Sequence, residues 1–98
     1  MSPVYIARAR EVAARMIGEE MMILSARDSK LFSLNETAAA IWQAADGMTP
    51  LSEIVEQHVC AEFEVDRDVA LRDAEKLVEG LAQEGILKVS NIPIEVTP

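Results

Sequence analysis

The chain is poor in the residues that build disulfide frameworks, metal sites and nucleotide-binding loops. Its 98 residues include one cysteine, one histidine and four glycines. The single cysteine, Cys60, allows no intramolecular disulfide, and with one histidine it cannot complete a tetrahedral structural zinc site. The glycines are scattered, so no phosphate-binding loop is present. A disulfide-stapled fold, a zinc domain and a P-loop enzyme are therefore excluded.

Long apolar runs and targeting signals are also lacking. No run approaches the roughly 20 apolar residues that a membrane helix needs. The N-terminal Met-Ser-Pro-Val-Tyr-Ile has neither the charged start nor the apolar centre of a signal peptide. We therefore expect a cytoplasmic protein without a membrane partner.

Positive charge is scarce in most of the chain. Residues 1–34 carry five basic and four acidic groups, whereas residues 35–98 carry four basic and thirteen acidic groups, which gives the net charge of −8. A field of this sign repels phosphate backbones, so we expect no nucleic-acid partner. An acidic surface also keeps a small protein in solution, and this role alone can account for the charge.

The sequence contains no pattern typical of a catalytic site. His58 falls on the apolar stripe of a predicted helix, and Cys60 lies two residues later, so the two side chains point to different sides. Neighbouring acids such as Asp66 and Asp68 lie at a predicted helix start, where carboxylates act as caps. We therefore predict no enzyme activity, no catalytic residue, no metal and no cofactor.

Three short apolar segments predict a sheet in the first third of the chain. Val12–Ile17 and Glu20–Ser25 are separated by Gly18-Glu19, which predicts a hairpin. After a polar turn at Arg27–Lys30, residues Leu31–Leu34 form a third strand. Residues 1–11 have little pattern, and we predict a flexible N-terminal tail there.

Capping residues and apolar spacing predict three helices in the remainder. Asn35 caps a first helix over Glu36–Ala45, and Gly47 is its left-handed stop. Thr49-Pro50 begins a second helix, with Pro50 in the first helical position, that ends at Phe63.

The third predicted helix is the longest. Asp66 caps Arg67–Gln83, and Gly85 is its C-terminal stop. Ile86–Val89 is a short strand or extended segment, and residues 90–98 form an irregular C-terminal tail.

The predicted fold class is α+β, with a three-stranded antiparallel sheet followed by three helices in one domain over residues 12–89. The second and third helices fit a winged helix-turn-helix, which raises a DNA-binding regulator as an alternative. The third helix opposes this because its basic residues are outnumbered by its acids. A self-associating structural subunit, such as a homodimer, is another alternative.

The third strand also allows peptide recognition by strand addition. If it lies at a sheet edge, its free N–H and C=O groups can pair with an extended peptide. Alternation places Leu31 and Ser33 on one face and Phe32 and Leu34 on the other.

Several motifs in order resemble those of one known family over Val12–Val89. The motifs are Leu34-Asn35-Glu36-Thr37-Ala38, Asp46-Gly47, Thr49 with Glu53-Ile54, Phe63 with Val65, and Leu77, Leu81 and Glu84-Gly85-Ile86-Leu87. The sequence resembles the PqqD family, small proteins that hold a precursor peptide for its modifying enzyme.

The resemblance implies a non-catalytic protein with a winged helix-turn-helix fold that binds the leader of a ribosomally made peptide, that is, a RiPP recognition element. It implies a peptide-modifying enzyme as a second partner, often a radical S-adenosylmethionine protein, as in pyrroloquinoline quinone (PQQ) synthesis. The implied peptide-binding residues lie on the third strand and third helix: Leu31, Phe32, Ser33, Leu34, Leu71, Arg72, Glu75 and Lys76.

Overall fold

A computed structural model of the chain describes residues 3–26 and 28–95. The described part contains the following elements in order: β1 (Tyr5–Arg8), β2 (Val12–Ile17), β3 (Glu20–Ser25), β4 (Lys30–Leu34), α1 (Glu36–Gln43), β5 (Asp46–Pro50), α2, α3 (Arg67–Gln83) and β6 (Leu87–Ser90). We use α2 for a helical segment of three parts, which are α-helical at Leu51–Val55, π-helical at Glu56–Cys60 and α-helical at Ala61–Phe63.

The first sheet is an antiparallel meander with the strand order β2-β3-β4. The predicted hairpin has the predicted bounds, with Ile17 paired to Glu20 across the Gly18-Glu19 turn. β4 begins at Lys30, one residue before the predicted start, and Leu34 pairs with Met21. The three predicted strands are confirmed. Of the predicted polar turn, Arg27 lies outside the described residues.

A second antiparallel sheet, with the order β5-β1-β6, brings together distant parts of the chain. β1 lies in its centre and pairs with β5 and with β6. The prediction of an irregular tail over residues 1–11 is therefore wrong for Tyr5–Arg8. Ile6 and Ala7 in this strand are fully buried, and their backbone groups pair with strands that sequence pattern alone does not bring near. Met1 and Ser2 lie outside the described residues.

The first helix is capped as predicted but ends earlier. Asn35 Oδ1 accepts a hydrogen bond of 2.9 Å from the Ala38 N–H. The helix ends at Gln43 rather than Ala45. Ala44 is its C-cap residue, and β5 begins two residues later at Asp46. Gly47 is therefore not a helix stop but a residue of β5.

The second helix begins one residue later than predicted. Pro50 is its N-cap and Leu51 its first residue, whereas Thr49 belongs to β5 and makes no helix cap. The Thr49 hydroxyl instead donates to Asp46 Oδ2 at 2.9 Å, so this hydroxyl is bonded within β5 rather than to the start of the helix. The predicted end at Phe63 is confirmed, and Glu64 follows in the left-handed region at φ 46°.

The third helix has the predicted bounds and caps. Asp66 accepts a hydrogen bond from the Asp68 N–H. At the other end, the Ile86 N–H donates to Leu81 O and the Gly85 N–H to Ala82 O. This pair of bonds is a Schellman motif, which requires the left-handed backbone that Gly85 adopts at φ 79°. The short strand predicted over Ile86–Val89 is confirmed as β6, shifted by one residue, so the predicted irregular tail is wrong for Ser90, which pairs with Tyr5; residues 91–95 have no regular structure. Residues 96–98 of the predicted tail lie outside the described part.

One core joins the two sheets and the three helices. Its largest fully buried side chains come from both sheets, α1, α2 and the turn before β6, and α3 adds smaller ones: Ile6, Ile23, Ile41, Leu51, Ile54, Val55 and Ile86, with Ala70, Ala74 and Val78 from α3. Trp42 lies among them, and its indole N–H donates to Ile86 O at 3.0 Å. That bond connects α1 to the chain just before β6. The predicted α+β class, with a three-stranded sheet followed by helices, is confirmed. Among the described residues no helix is both long and apolar enough to cross a bilayer.

Candidate peptide-binding groove

The last strand of the first sheet has an open edge. β4 pairs with β3 on one side, and no strand within residues 3–26 and 28–95 pairs with its other side. Its side chains alternate as predicted, since Leu31 and Ser33 are exposed whereas Phe32 is half-buried and Leu34 is buried. Unpaired main-chain groups at a sheet edge form a template for a further strand. β4 therefore offers the kind of edge on which an extended peptide can bind.

An apolar cleft of about 390 Å³ begins where β4 ends. Only Asn35 separates β4 from α1, so the first turn of α1 continues directly from the strand edge. The cleft is enclosed by α1, the end of α2 and the first half of α3, with these lining residues: Asn35, Thr37, Ala38, Ile41, Val59, Phe63, Val65, Val69, Ala70, Asp73, Ala74 and Leu77. Nine of these twelve residues are apolar. The cleft can thus enclose an apolar side chain of a bound segment.

Two irregular features of α2 shape the wall of this cleft. Val59 lines the cleft from the π-helical turn, a rare geometry that recurs at functional sites. Glu64, in its left-handed conformation, turns the chain between Phe63 and Val65. Both neighbours line the cleft, so the turn presents two apolar side chains to the same space.

α3 faces the cleft with a stripe of which only Leu77 was singled out from the sequence. Val69, Asp73 and Leu77 follow one another at a spacing of four residues, which places them on one side of the helix. Val69 is 51% exposed although it is apolar, which is typical of a residue beside an open groove. The four-residue spacing of these side chains is visible in the sequence. It lies next to the stronger apolar stripe of Ala70, Ala74 and Val78, which is buried.

An ion pair connects β4 to the C-terminal end of α3. Lys30 Nζ lies 3.7 Å from Glu84 Oε2, and both side chains are about half-exposed. The start of β4 therefore lies beside the C-terminal end of α3. The other end of β4 leads into the cleft, which residues 69–77 of α3 line. The open edge of β4 thus leads, through Asn35, into the cleft that Val69, Asp73 and Leu77 line from α3. We refer to the β4 edge and the cleft together as the β4–α3 groove.

The predicted site residues divide into two sets. Leu31, Phe32, Ser33 and Leu34 all lie on the edge strand that borders the groove. The four predicted on α3 do not line the cleft. Arg72 and Lys76 are exposed, Leu71 is half-buried against the core, and Glu75 lines a different cavity between α3 and the second sheet. A role in peptide binding stays a prediction for all eight residues.

The Asp46-Gly47 pair of the family motif does not line the cleft. Hydrogen bonds and close backbone packing at the start of β5 account for these two residues. The Asp46 carboxylate accepts hydrogen bonds from the Met48 and Thr49 N–H groups, each at 2.9 Å. Burial opposes the charged carboxylate, but these bonds and that from the Thr49 hydroxyl outweigh it, so the pKa of Asp46 lies below its ordinary value of 3.8. A Cβ on Gly47 would collide with the carbonyl oxygen of Ile94, so only glycine fits there.

The described residues contain no group of three or more histidine, cysteine, aspartate or glutamate side chains placed to hold a metal ion. His58 and Cys60 are both half-buried on α2, and Cys60 packs against the core. Neither residue lines the cleft.

Comparison with protein families gives a match over most of the chain. The family described as coenzyme PQQ synthesis protein D (PqqD) matches residues 20–87. The chain belongs to the PqqD family. The matched region runs from the start of β3 to the first residue of β6 and so contains β4, the cleft and α3. No curated protein gives a significant match.

Two solved structures of leader-peptide complexes resemble this PqqD-family chain. One is "TbiB1 in Complex with the TbiA(beta) Leader Peptide", with a TM-score of 0.75 and 27% sequence identity over 84% of this chain and 94% of that chain. Another is "Lasso peptide synthetase B1 complexed with the leader peptide", with a TM-score of 0.72 and 31% identity over 85% of this chain and 96% of that chain. Both are described as bound to a leader peptide.

Proposed function

We propose that this protein is a non-catalytic recognition element that captures the leader of a ribosomally made precursor peptide and presents it to a separate modifying enzyme. The observation that carries the proposal is the free edge of β4, which leads into an apolar cleft. Membership of the PqqD family and likeness to two leader-bound proteins support it.

In this proposal the leader adds a fourth strand to the first sheet. Main-chain groups of β4 pair with the peptide, and alternate peptide side chains point toward the cleft. Full burial of one large apolar side chain there contributes about 1.5–3 kcal/mol. Main-chain pairing therefore holds the leader extended along β4, whereas the cleft fixes its register and selects its sequence.

The modifying enzyme is the second proposed partner. The sequence resemblance implies a radical S-adenosylmethionine enzyme and PQQ synthesis, whereas one of the similar structures is a lasso peptide synthetase component. We propose the broader class, a peptide-modifying or peptide-processing enzyme, and the radical enzyme and the cytoplasmic location stay predictions. The DNA-binding alternative is disfavoured because α3 carries more acidic than basic residues.

The test is a titration of isotope-labelled protein with the leader half of the short peptide encoded beside its gene, followed by backbone amide shifts. We expect shifts at Leu31–Leu34 and at Val69, Asp73 and Leu77. Shifts concentrated instead at Leu71, Arg72, Glu75 and Lys76 would support the face of α3 expected from sequence.

A matched control uses the same peptide with its order scrambled. The absence of shifts with the cognate leader at millimolar concentration would overturn the proposal. In that case a concentration-dependent increase in mass, measured by light scattering, would support the self-association alternative.

A further inference from the structure

Among the described residues that line the cleft, Asp73 alone is charged. The other eleven lining residues are nine apolar residues and the neutral Asn35 and Thr37. Within the described residues, the Asp73 carboxylate makes no hydrogen bond or ion pair. Lys76, the nearest cation toward the C-terminus of α3, is three residues away and forms no ion pair with it. An unpaired carboxylate thus lies at the border of an apolar surface.

A bound peptide changes the surroundings of that carboxylate. In the free protein Asp73 is exposed and hydrated. An occupant that covers the apolar lining removes part of this water, which is unfavourable for a charge without a partner. A cationic side chain on the peptide compensates for the loss, whereas an acidic one adds repulsion. The cleft therefore discriminates between peptides by charge as well as by apolar content.

The geometry also limits where the cation lies along the peptide. Asp73 is four residues, about one helical turn, from both Val69 and Leu77, a rise of about 6 Å. Side chains on one face of an extended peptide repeat every second residue, at about 6.6–6.8 Å. A peptide that runs along α3 therefore places one apolar side chain in the cleft. The side chain two residues away on the peptide then lies near Asp73.

We propose that Asp73 is a specificity-determining residue that selects leaders with a lysine or arginine two residues from a large apolar anchor. This inference rests on the proposed function and specifies the peptide chemistry that the groove accepts. Asp73 contributes discrimination between peptides rather than stability of the fold, because its side chain is exposed and has no partner in the free protein.

The experiment selects binders from a displayed library of random 12-residue peptides on immobilised protein. Wild type, Asp73→Lys and Glu79→Lys are compared. Glu79→Lys is the matched control because it makes the same charge change on the same helix, but Glu79 lines the other cavity. We expect wild type and Glu79→Lys to enrich a lysine or arginine two residues from an aromatic or large aliphatic residue. Asp73→Lys loses this preference.

Affinities then measure the pairing directly. One selected peptide and its Lys→Glu version are titrated against wild type and Asp73→Lys, with Asp73→Asn to remove the charge at nearly constant shape. We expect the Lys→Glu peptide to bind wild type about 3- to 10-fold more weakly. Asp73→Lys reverses the order of the two peptides, and Asp73→Asn reduces the difference. Circular dichroism checks that each variant keeps its helix content.

The outcomes separate this inference from the proposed function. Apolar anchors enriched by wild type without a neighbouring cation would overturn the role of Asp73 and leave peptide binding intact. Equal effects of Asp73→Lys and Glu79→Lys would assign the preference to the overall negative field and also overturn it. No enrichment by wild type, together with no shifts in the leader titration, would overturn both.

Discussion

The two three-stranded sheets of this molecule are built in opposite ways. The first is a meander of neighbouring strands within residues 12–34, whereas the second joins residues 5–8, 46–50 and 87–90. In the first sheet a turn sets each pairing, so local sequence determines the register. In the second sheet no turn connects the paired strands directly, and helices fold between them. The pairing of strands in the second sheet therefore depends on the rest of the fold. The first sheet is set by its own turns and presents an open edge at β4.

The largest effect is expected from Gly47→Ala, in the second sheet. Gly47 has φ 79°, and an added Cβ would collide with the Ile94 backbone. Left-handed strain alone is about 1–2 kcal/mol, and with the collision we expect a loss of about 3 kcal/mol or more in unfolding free energy. Chemical denaturation measures it.

Gly18→Ala is the matched control for this substitution, in the hairpin of the first sheet. Gly18 has φ 65° but open space around a built Cβ, so only the strain of about 1–2 kcal/mol applies. Equal losses in the two variants would contradict the packing of residue 94 against β5.

Trp42→Phe tests the connection between α1 and the second sheet. The substitution removes the indole donor from the Ile86 carbonyl, which keeps only the 3.3 Å bond from the Ala9 N–H, and it also removes buried side-chain volume. We expect a loss of roughly 2–4 kcal/mol. A thermal unfolding curve measures this, since each kcal/mol corresponds to about 4–8 °C in a domain of this size. A shift of less than about 4 °C would show that the bond contributes little.

A smaller effect is expected from Asp46, at the start of β5. Its folded-state pKa is lowered, so its contribution is present above the unfolded pKa and is lost as the pH falls through the folded pKa. We expect stability to fall below about pH 4 somewhat more in wild type than in Asp46→Asn, by less than about 1 kcal/mol because solvent screens this exposed carboxylate. Denaturation from pH 2 to pH 7 measures the difference. Parallel curves for the two proteins would contradict the assignment.

The smallest effect is expected on the outer face of the first sheet. Leu31 is 63% exposed, so Leu31→Thr should change the unfolding free energy by about 0.5 kcal/mol or less. Leu34→Thr, on the same strand but 5% exposed, should cost roughly 2–3 kcal/mol. Denaturation of both variants provides the comparison. A cost for Leu31→Thr as large as that for Leu34→Thr would show that a further surface covers this face.

Elements defined by neighbouring residues could be predicted from the sequence. The hairpin, the Asn35 cap and all of α3 follow from turn residues, capping residues and spacing that act within a few positions. Tyr5–Arg8 and Asp46–Pro50 could not be predicted as paired strands. Their pairing depends on contacts across about forty residues, and one of the two strands ends in a proline.

The site was predicted in part for a similar reason. The edge strand was found because alternation in Leu31–Leu34 is a local pattern that burial confirms. The face of α3 that borders the cleft depends on how α1 and α2 pack beside it. Leu71 was the more conspicuous apolar residue in the sequence, but the exposed Val69 and its neighbour Asp73 line the cleft. The face of α3 predicted from the sequence and the face that lines the cleft differ by a rotation of less than half a turn about the helix axis.

β4 is only five residues long, which limits how firmly a partner can be held. Each intramolecular or intermolecular hydrogen bond contributes about 0.5–1.5 kcal/mol net, because water is displaced from both sides. A short edge therefore supplies a few such bonds, and part of this gain is lost to ordering of the peptide. Such a surface favours brief residence of a bound peptide over permanent capture, which suits the proposed transfer of a leader to a modifying enzyme.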